Sequence, residues 1–366
     1  MMTGKWLIGL TAGAVCVAAV FLCAEAQSAA PAPTPAAGLA PVTMKLSAMP
    51  AGTKAIDPAK LAKAQAMLNG GIQFLLSQRE ADGGWNFGNG VMKPAITGLV
   101  LKVLLAHPDF RADSPVIQKG FEVMLSYQQK DGAISDPKQG QEAYTTAIAI
   151  SAMAAAGDPK FTESIRRASR YLQGIQIQPG QESPDGGKIG EGDPRIGGVG
   201  YGRNKEPNLS VLGFAMEAWH DEGMKPDAEA MQRAIGFLTR LQNRSESNPL
   251  PWAKQGANDG GFTYDLKESK AGAGPGDAGM RSYGSMTYTG FKSMIYAGVD
   301  RNDPRVQAAV AQVLAAAKTA GKPAMILALD AANGRALYEQ GFQVIMLSAC
   351  AVFSGAARDV LQQVGR

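Results

Sequence analysis

The sequence predicts a mainly α-helical protein, about four consecutive helix pairs followed by a short βαβα segment. Three observations lead there. From Gly71 to Trp85 an apolar helix ends in an Asp-Gly-Gly turn and an aromatic residue, and weaker copies recur along the chain. Each copy is followed by a second apolar helix. The first helix of each pair carries charge on one side, whereas the second is rich in Ala, Gly, Ser and Thr and nearly free of charge. That contrast is the mark of an outer layer facing water and an inner layer packed on both sides.

The bounds agree with this. The chain has 366 residues, 45% of them hydrophobic, which is enough for one large core or two ordinary ones. Its formal net charge is +4, with Lys and Arg scattered. No basic stripe marks a nucleic-acid surface, so no nucleic-acid partner is expected. Gly, at 44 residues, suits many turns between short helices.

Residues 1–26 read as a cleavable export signal. Lys5 starts it, Leu7 to Leu22 is apolar, and Ala24-Glu25-Ala26 offers small residues to a signal peptidase. Leu22 before Cys23 is too large for a lipoprotein signal. The mature protein is therefore expected in the periplasm or outside the cell. It keeps only Cys350 and can form no internal disulfide. Residues 27–58 are Ala- and Pro-rich and read as a disordered linker.

The repeats occupy 59–302. Helix one runs from about Ala59 to Arg79, with Phe74 and Gln78 on one face, and stops at Asp82-Gly83-Gly84-Trp85. Glycine reaches positive φ at little steric cost, and Asp bonds the backbone just beyond it. Pro94 opens its partner, up to His107. The second pair is Lys119 to Gly132, with Phe121, Gln129 and Asp131-Gly132, then Ala143 to Asp158. The third is Ala168 to Gln176, its turn delayed to Asp185-Gly186-Gly187, then Leu209 to Gly223. The fourth is Ala234 to Arg244, with Phe237-Leu238, Gln242 and the turn Asp259-Gly260-Gly261-Phe262, then Ser285 to Val299. Helix pairs are expected to cease after about Ala308, leaving 303–366 as an atypical segment. There Met325 to Leu329 and Phe342 to Leu347 read as strands, and Ala331 to Gln340 and Ala351 to Val364 as helices.

These copies of Gln, Asp-Gly-Gly and an aromatic residue resemble the α/α toroid of terpenoid cyclases and protein prenyltransferases over about 59–299. The nearest likeness is to secreted bacterial proteins with squalene-cyclase or prenyltransferase repeats, whose motifs GGVGYG (Gly197 to Gly202), NDGGFTY (Asn258 to Tyr264) and RSYGSMTYTGFKSMIYAGV (Arg281 to Val299) resemble. The resemblance implies an α/α toroid around an apolar hollow, incomplete at about four pairs. Its open edge would invite self-association. The tail resembles the C-terminal end of a (β/α)-barrel aldolase of the HpcH/HpaI type, with DPRVQAA (Asp303 to Ala309) as a splice point. That aldolase's metal and base residues belong to parts of the barrel not present here, so no aldolase activity is implied.

Chemistry is sparser than architecture. A zinc prenyltransferase needs Asp, Cys and His on one metal. Only His107, His220 and the tail's Cys350 are on offer, and each His reads as a helix-end residue. No metal and no cofactor are expected. A squalene-type cyclase needs a strong acid, in that family a DxDD cluster, and none occurs; Asp259, Asp265 and Asp277 are single loop acids and only weak candidates. A thioester domain needs a nearby Cys and Gln, and Cys350 has no such setting. The two long Gly-rich loops, Gln178 to Asn208 and Asn243 to Gly284, hold aromatic residues that could wall a pocket at the toroid mouth. The expected ligand-binding residues are Tyr201, Trp252, Tyr264, Tyr283, Tyr288 and Arg281. The repeat residues, Gln78, Asp82, Gly83, Gly84, Trp85, Gln129, Asp131, Gln242, Asp259, Gly260, Gly261 and Phe262, read as structural. The function expected is binding of an apolar, isoprenoid-like or glycan ligand, with a terpenoid-cyclase-like isomerase acting through an Asp as the alternative.

Overall fold

The computed structural model describes residues 58–87, 92–183, 185–274, 276, 278–328 and 331–347. The expected signal segment, the linker, Cys350 and the last helix of the tail lie outside them. The described residues form two compact units that divide between Tyr171 and Leu172. Both are mainly helical. Among the described residues no helix is long and apolar enough to cross a membrane.

The first unit holds α1 (Pro58–Ser77), α2 (Lys93–Leu105), α3 (Pro115–Leu125), α4 (Glu142–Ala156) and most of α5 (Thr162–Ile175). The charge-poor helices are the buried ones. In α4 every residue from Ala143 to Met153 is buried, and α2 packs on both α3 and α4. Helix α3 buries one stripe, Ile117, Gly120, Phe121 and Met124, at helical spacing. Phe121 packs on Phe161, ring centroids 4.5 Å apart. Trp85 is buried and donates its indole N–H to the Leu75 carbonyl at 2.6 Å. Phe74 is 47% exposed, on the exposed face it shares with Gln78, and Ile72 takes the buried place. Met67 and Leu68 are exposed as well, so α1 is only lightly covered.

The second unit continues α5 and adds α6 (Leu209–Asp221), α7 (Glu229–Leu241), the short α8 (Pro251–Gln255), α9 (Gly284–Tyr296) and α10 (Pro304–Thr319). Helix α9 packs on α6 and α10, and α6 also packs on α7. One helix does run past Ala308, although among the described residues the next element after it is a strand and not a partner helix. Helix α10 is a further outer helix, and its backbone receives the repeat's signature hydrogen bond at Arg305. After it, β1 (Met325–Ala328) and β2 (Val344–Leu347) pair in parallel around α11 (Ala331–Glu339). The fourth element expected of that tail lies outside the described residues.

One local device repeats in both units, and it corrects the sequence reading in three places. In each repeat a glycine with positive φ follows the first helix: Gly83 (98°), Gly132 (102°), Gly197 (89°) and Gly260 (78°). A Cβ on any of them would run into the next outer helix: the Lys119 side chain, the Arg167 carbonyl, the Arg233 carbonyl and Ala308, respectively. The third turn is thus Gly197-Gly198-Val199. The turn expected at Asp185-Gly186-Gly187 is a separate bend whose glycines face open space. The glutamine also shifts register. Gln176 donates to the Gly197 and Ala230 carbonyls, and Gln242 to the Gly260 and Arg305 carbonyls. In the second repeat Gln128, not Gln129, reaches across, to the Ser164 carbonyl. In the first repeat Arg79, not Gln78, takes the place, donating to the Gly83 carbonyl at 3.1 Å. Gln78 is exposed and bonds its neighbour Ser77.

The turn then docks on the second helix through a buried threonine that sequence reasoning passed over. The N–H groups of Trp85, Ile134 and Phe262 donate to the hydroxyls of Thr97, Thr146 and Thr287. Asp82, Asp131 and Asp259 each accept an N–H two residues on, at 3.0 to 3.1 Å. The only signal was a Thr early in three of the four charge-poor helices, and small polar residues are ordinary there.

Candidate functional site

The two long loops meet in the second unit. The Tyr201 and Tyr264 hydroxyls share a hydrogen bond at 2.8 Å, and the Leu209 N–H donates to the Tyr264 carbonyl. Charge ties the same loops together. Arg195 grips Asp193 through two bonds and reaches Asp185 and Glu206, and Glu206 pairs with Lys267 at 2.9 Å. Its hydrogen bonds to Ser183 and Arg195 lower the Asp185 carboxyl to about 2.

The six expected ligand-binding residues are held in different ways. Tyr264 is buried, and the Lys270 ammonium lies 5.0 Å from its ring centroid, where a cationic ligand would otherwise sit. Tyr201 beside it is half-buried. Tyr283 precedes α9, and its buried hydroxyl has no hydrogen-bond partner among the described residues. Tyr288 lies within α9, half-buried, and burial pushes its phenol up. Trp252 sits on α8, with its backbone close under Gly279 and its indole N–H unpartnered among the described residues. Arg281 is exposed, and its backbone N–H bonds the Gly272 carbonyl. The structure links Tyr201, Tyr264 and Lys270 directly, and places Tyr283 within reach of the Asp265 and Glu268 charges.

The acids are already employed. Asp259 accepts from the Gly261 N–H at 3.0 Å and the Ser282 hydroxyl at 2.8 Å. Asp265 accepts from the Lys267 and Glu268 N–H groups, both at 2.8 Å. A carboxylate holding backbone donors in this way staples its loop. Asp277 lies outside the described residues. Of the histidines, His107 accepts from the Asp109 N–H rather than donating to a helix end, and His220 stacks on Tyr296 at 4.5 Å. Among the described residues no group of three His, Cys, Asp or Glu could hold a metal ion.

Burial first, then the Asp265 and Glu268 carboxylates, push the Tyr283 phenol up to about 12 from an ordinary 10.0. A raised acid favours the folded state below the unfolded pKa, and that contribution is lost as pH climbs through the folded one. Urea midpoints are therefore expected to fall between pH 10 and pH 12. Tyr283→Phe removes Tyr283's share of the fall, leaving those of Tyr288 and Tyr296, which burial raises too. An equally steep fall in Tyr283→Phe would remove Tyr283 as its source.

No family model matches the chain, and no curated protein matches it. Among solved structures it is similar to the type II terpene cyclase MstE from Scytonema, at 16% identity and a TM-score of 0.43, covering 69% of this chain and 63% of that one. It is likewise similar to an MstE variant in complex with its substrate geranylgeranyl dihydroxybenzoate, at 15% identity and a TM-score of 0.42 over 69% of this chain and 61% of that one. A protein from Actinoplanes matches at 15% identity and a TM-score of 0.39, over 69% of this chain and 65% of that one. The chain spans about three fifths of the length of the MstE chains. At these scores the likeness does not extend to a site or an activity.

Proposed function

We propose that this is an exported helix-pair repeat protein of the terpenoid-cyclase kind that binds an apolar, isoprenoid-like ligand against its aromatic loops. One observation carries the reading. Two long loops are locked together at Tyr201 and Tyr264, while Tyr201, Tyr283, Tyr288 and Trp252 are only half-buried. Preformed loops carrying half-buried aromatic residues are suited to an apolar ligand. Lys270 beside Tyr264 disfavours a cation there.

The test is binding of geranylgeraniol by the purified protein, followed by tryptophan fluorescence. Tyr201→Ala and Tyr288→Ala are each expected to weaken binding by about ten-fold, the scale of one lost aromatic contact. Wild-type protein that ignores geranylgeraniol, or variants that bind it unchanged, would remove the reading.

A second reading, an isomerase acting through an acid, rests on Asp265 lying near enough to Tyr283 to help keep its phenol protonated. It requires a cyclised product from geranylgeraniol that Asp265→Asn abolishes while binding persists. A wild-type protein that binds geranylgeraniol and returns it unchanged excludes it.

A further inference from the structure

A cleft of about 220 Å³ opens where α5 ends. It lies apart from the aromatic residues, none of which lines it. Ile175 and Ile177, both nearly buried, give it an apolar floor next to the exposed backbone of Gly174. Glu182 and Arg203 stand at it from two different stretches of the long loop, and both are exposed. It is smaller than the roughly 300–1,000 Å³ of drug-sized pockets, and suits a molecule of amino-acid size.

Its electrostatics are two-sided. The C-terminal end of a helix carries partial negative charge. Here the Gln173 and Gly174 carbonyls of that end accept from the Gln178 and Gln181 amides. The Glu182 carboxylate adds a full negative charge and meets the Asn204 amide only at 3.4 Å. The Arg203 guanidinium has no ion pair or hydrogen bond among the described residues. Its loop is nonetheless held firmly. Gly200 packs against the Lys205 and Glu206 carbonyls, and Asn204 adopts a left-handed φ of 54°. An unpartnered cation therefore faces the same small cleft as a carboxylate and a helix C-terminus.

We propose that this cleft binds a small zwitterion. Arg203 receives its carboxylate, Glu182 and the end of α5 receive its ammonium group, and Ile175 and Ile177 receive a short apolar side chain. Charge-assisted hydrogen bonds at both ends set the selectivity.

Isothermal titration of the full chain with L-leucine, leucinamide and N-acetyl-L-leucine tests this. The amide lacks the carboxylate, and the acetyl compound lacks the ammonium group. L-Leucine is expected to bind about ten-fold or more tighter than either. Arg203→Ala lowers L-leucine to the level of leucinamide and leaves leucinamide unaffected. Glu182→Gln lowers it to the level of N-acetyl-L-leucine. Both side chains are exposed, so circular dichroism of the variants should match wild type. No heat from L-leucine, equal affinity for all three compounds, or variants that keep full affinity would overturn the proposal. Because no aromatic loop residue is involved, its failure leaves the geranylgeraniol result standing, and the reverse holds too.

Discussion

Gly197→Ala should destabilise the second unit by about 2–5 kcal/mol, the sum of a left-handed backbone penalty and overpacking against a rigid neighbour. The backbone there has a φ of 89°, a conformation that L side chains rarely adopt. The new methyl would also press directly on the Arg233 carbonyl of α7, and backbone cannot swing aside as a side chain can. Gly180→Ala separates the two causes. Its φ is 81°, yet its Cβ would meet nothing within 4 Å. That variant should lose only about 1–2 kcal/mol. Urea unfolding of both variants, followed by circular dichroism, reads the difference. Equal losses would mean that the docking of this turn on α7 contributes nothing.

Gln176→Leu is the second large effect, expected at about 3–5 kcal/mol because several buried polar groups lose their partner together. The Gln176 side chain is fully buried. Its amide donates to the Gly197 carbonyl at 3.0 Å and the Ala230 carbonyl at 2.9 Å, while its oxygen accepts from the Arg233 guanidinium at 3.1 Å. Leucine fills the space and answers none of the three. Combining it with Arg233→Met should cost clearly less than the two single losses added, since the guanidinium is no longer left without its acceptor. Additive losses in that cycle would show that the Arg233 bond is idle. Gln178→Leu is the control: it gives up bonds to the Gln173 and Gln176 carbonyls in a half-buried place where water can substitute.

Much of the helical plan was legible because charge and its absence alternate from helix to helix. That alternation located α2, α4, α6 and α9 as the buried members of their pairs, and it depends only on composition. The register of the turns was not legible. Gln78 stands next to Arg79 and Gln128 next to Gln129, so a motif read by spacing can settle on either neighbour. What decides is the positive-φ glycine, and the distance from it back to the glutamine varies. Gln242 lies 18 residues before Gly260 because a whole loop intervenes. For the same reason Asp185-Gly186-Gly187 looked like the third turn, when an Ile196-Gly197 step without the Asp holds that place. Helix α10 was missed because it lacks an Asp-Gly-Gly turn of its own; Arg305 and Ala308 show their role only by receiving the preceding turn. The candidate binding residues were picked out in the sequence mainly as aromatic residues in or next to long loops. Which of them touch depended on pairings across 63 residues, as for Tyr201 and Tyr264, that no local pattern encodes.

The turns give the array a grain. Each one leans on the helix that comes after it: Gly132 on Arg167, Gly197 on Arg233, Gly260 on Ala308. Among the described residues nothing of the kind leans on α1, whose Met67 and Phe74 are already wet. Erosion from the front of the series thus strips away a lodger, whereas erosion from the rear takes out a wall. An insertion between Gln242 and Gly260 is harmless to this scheme, and one between Val299 and Arg305 is not.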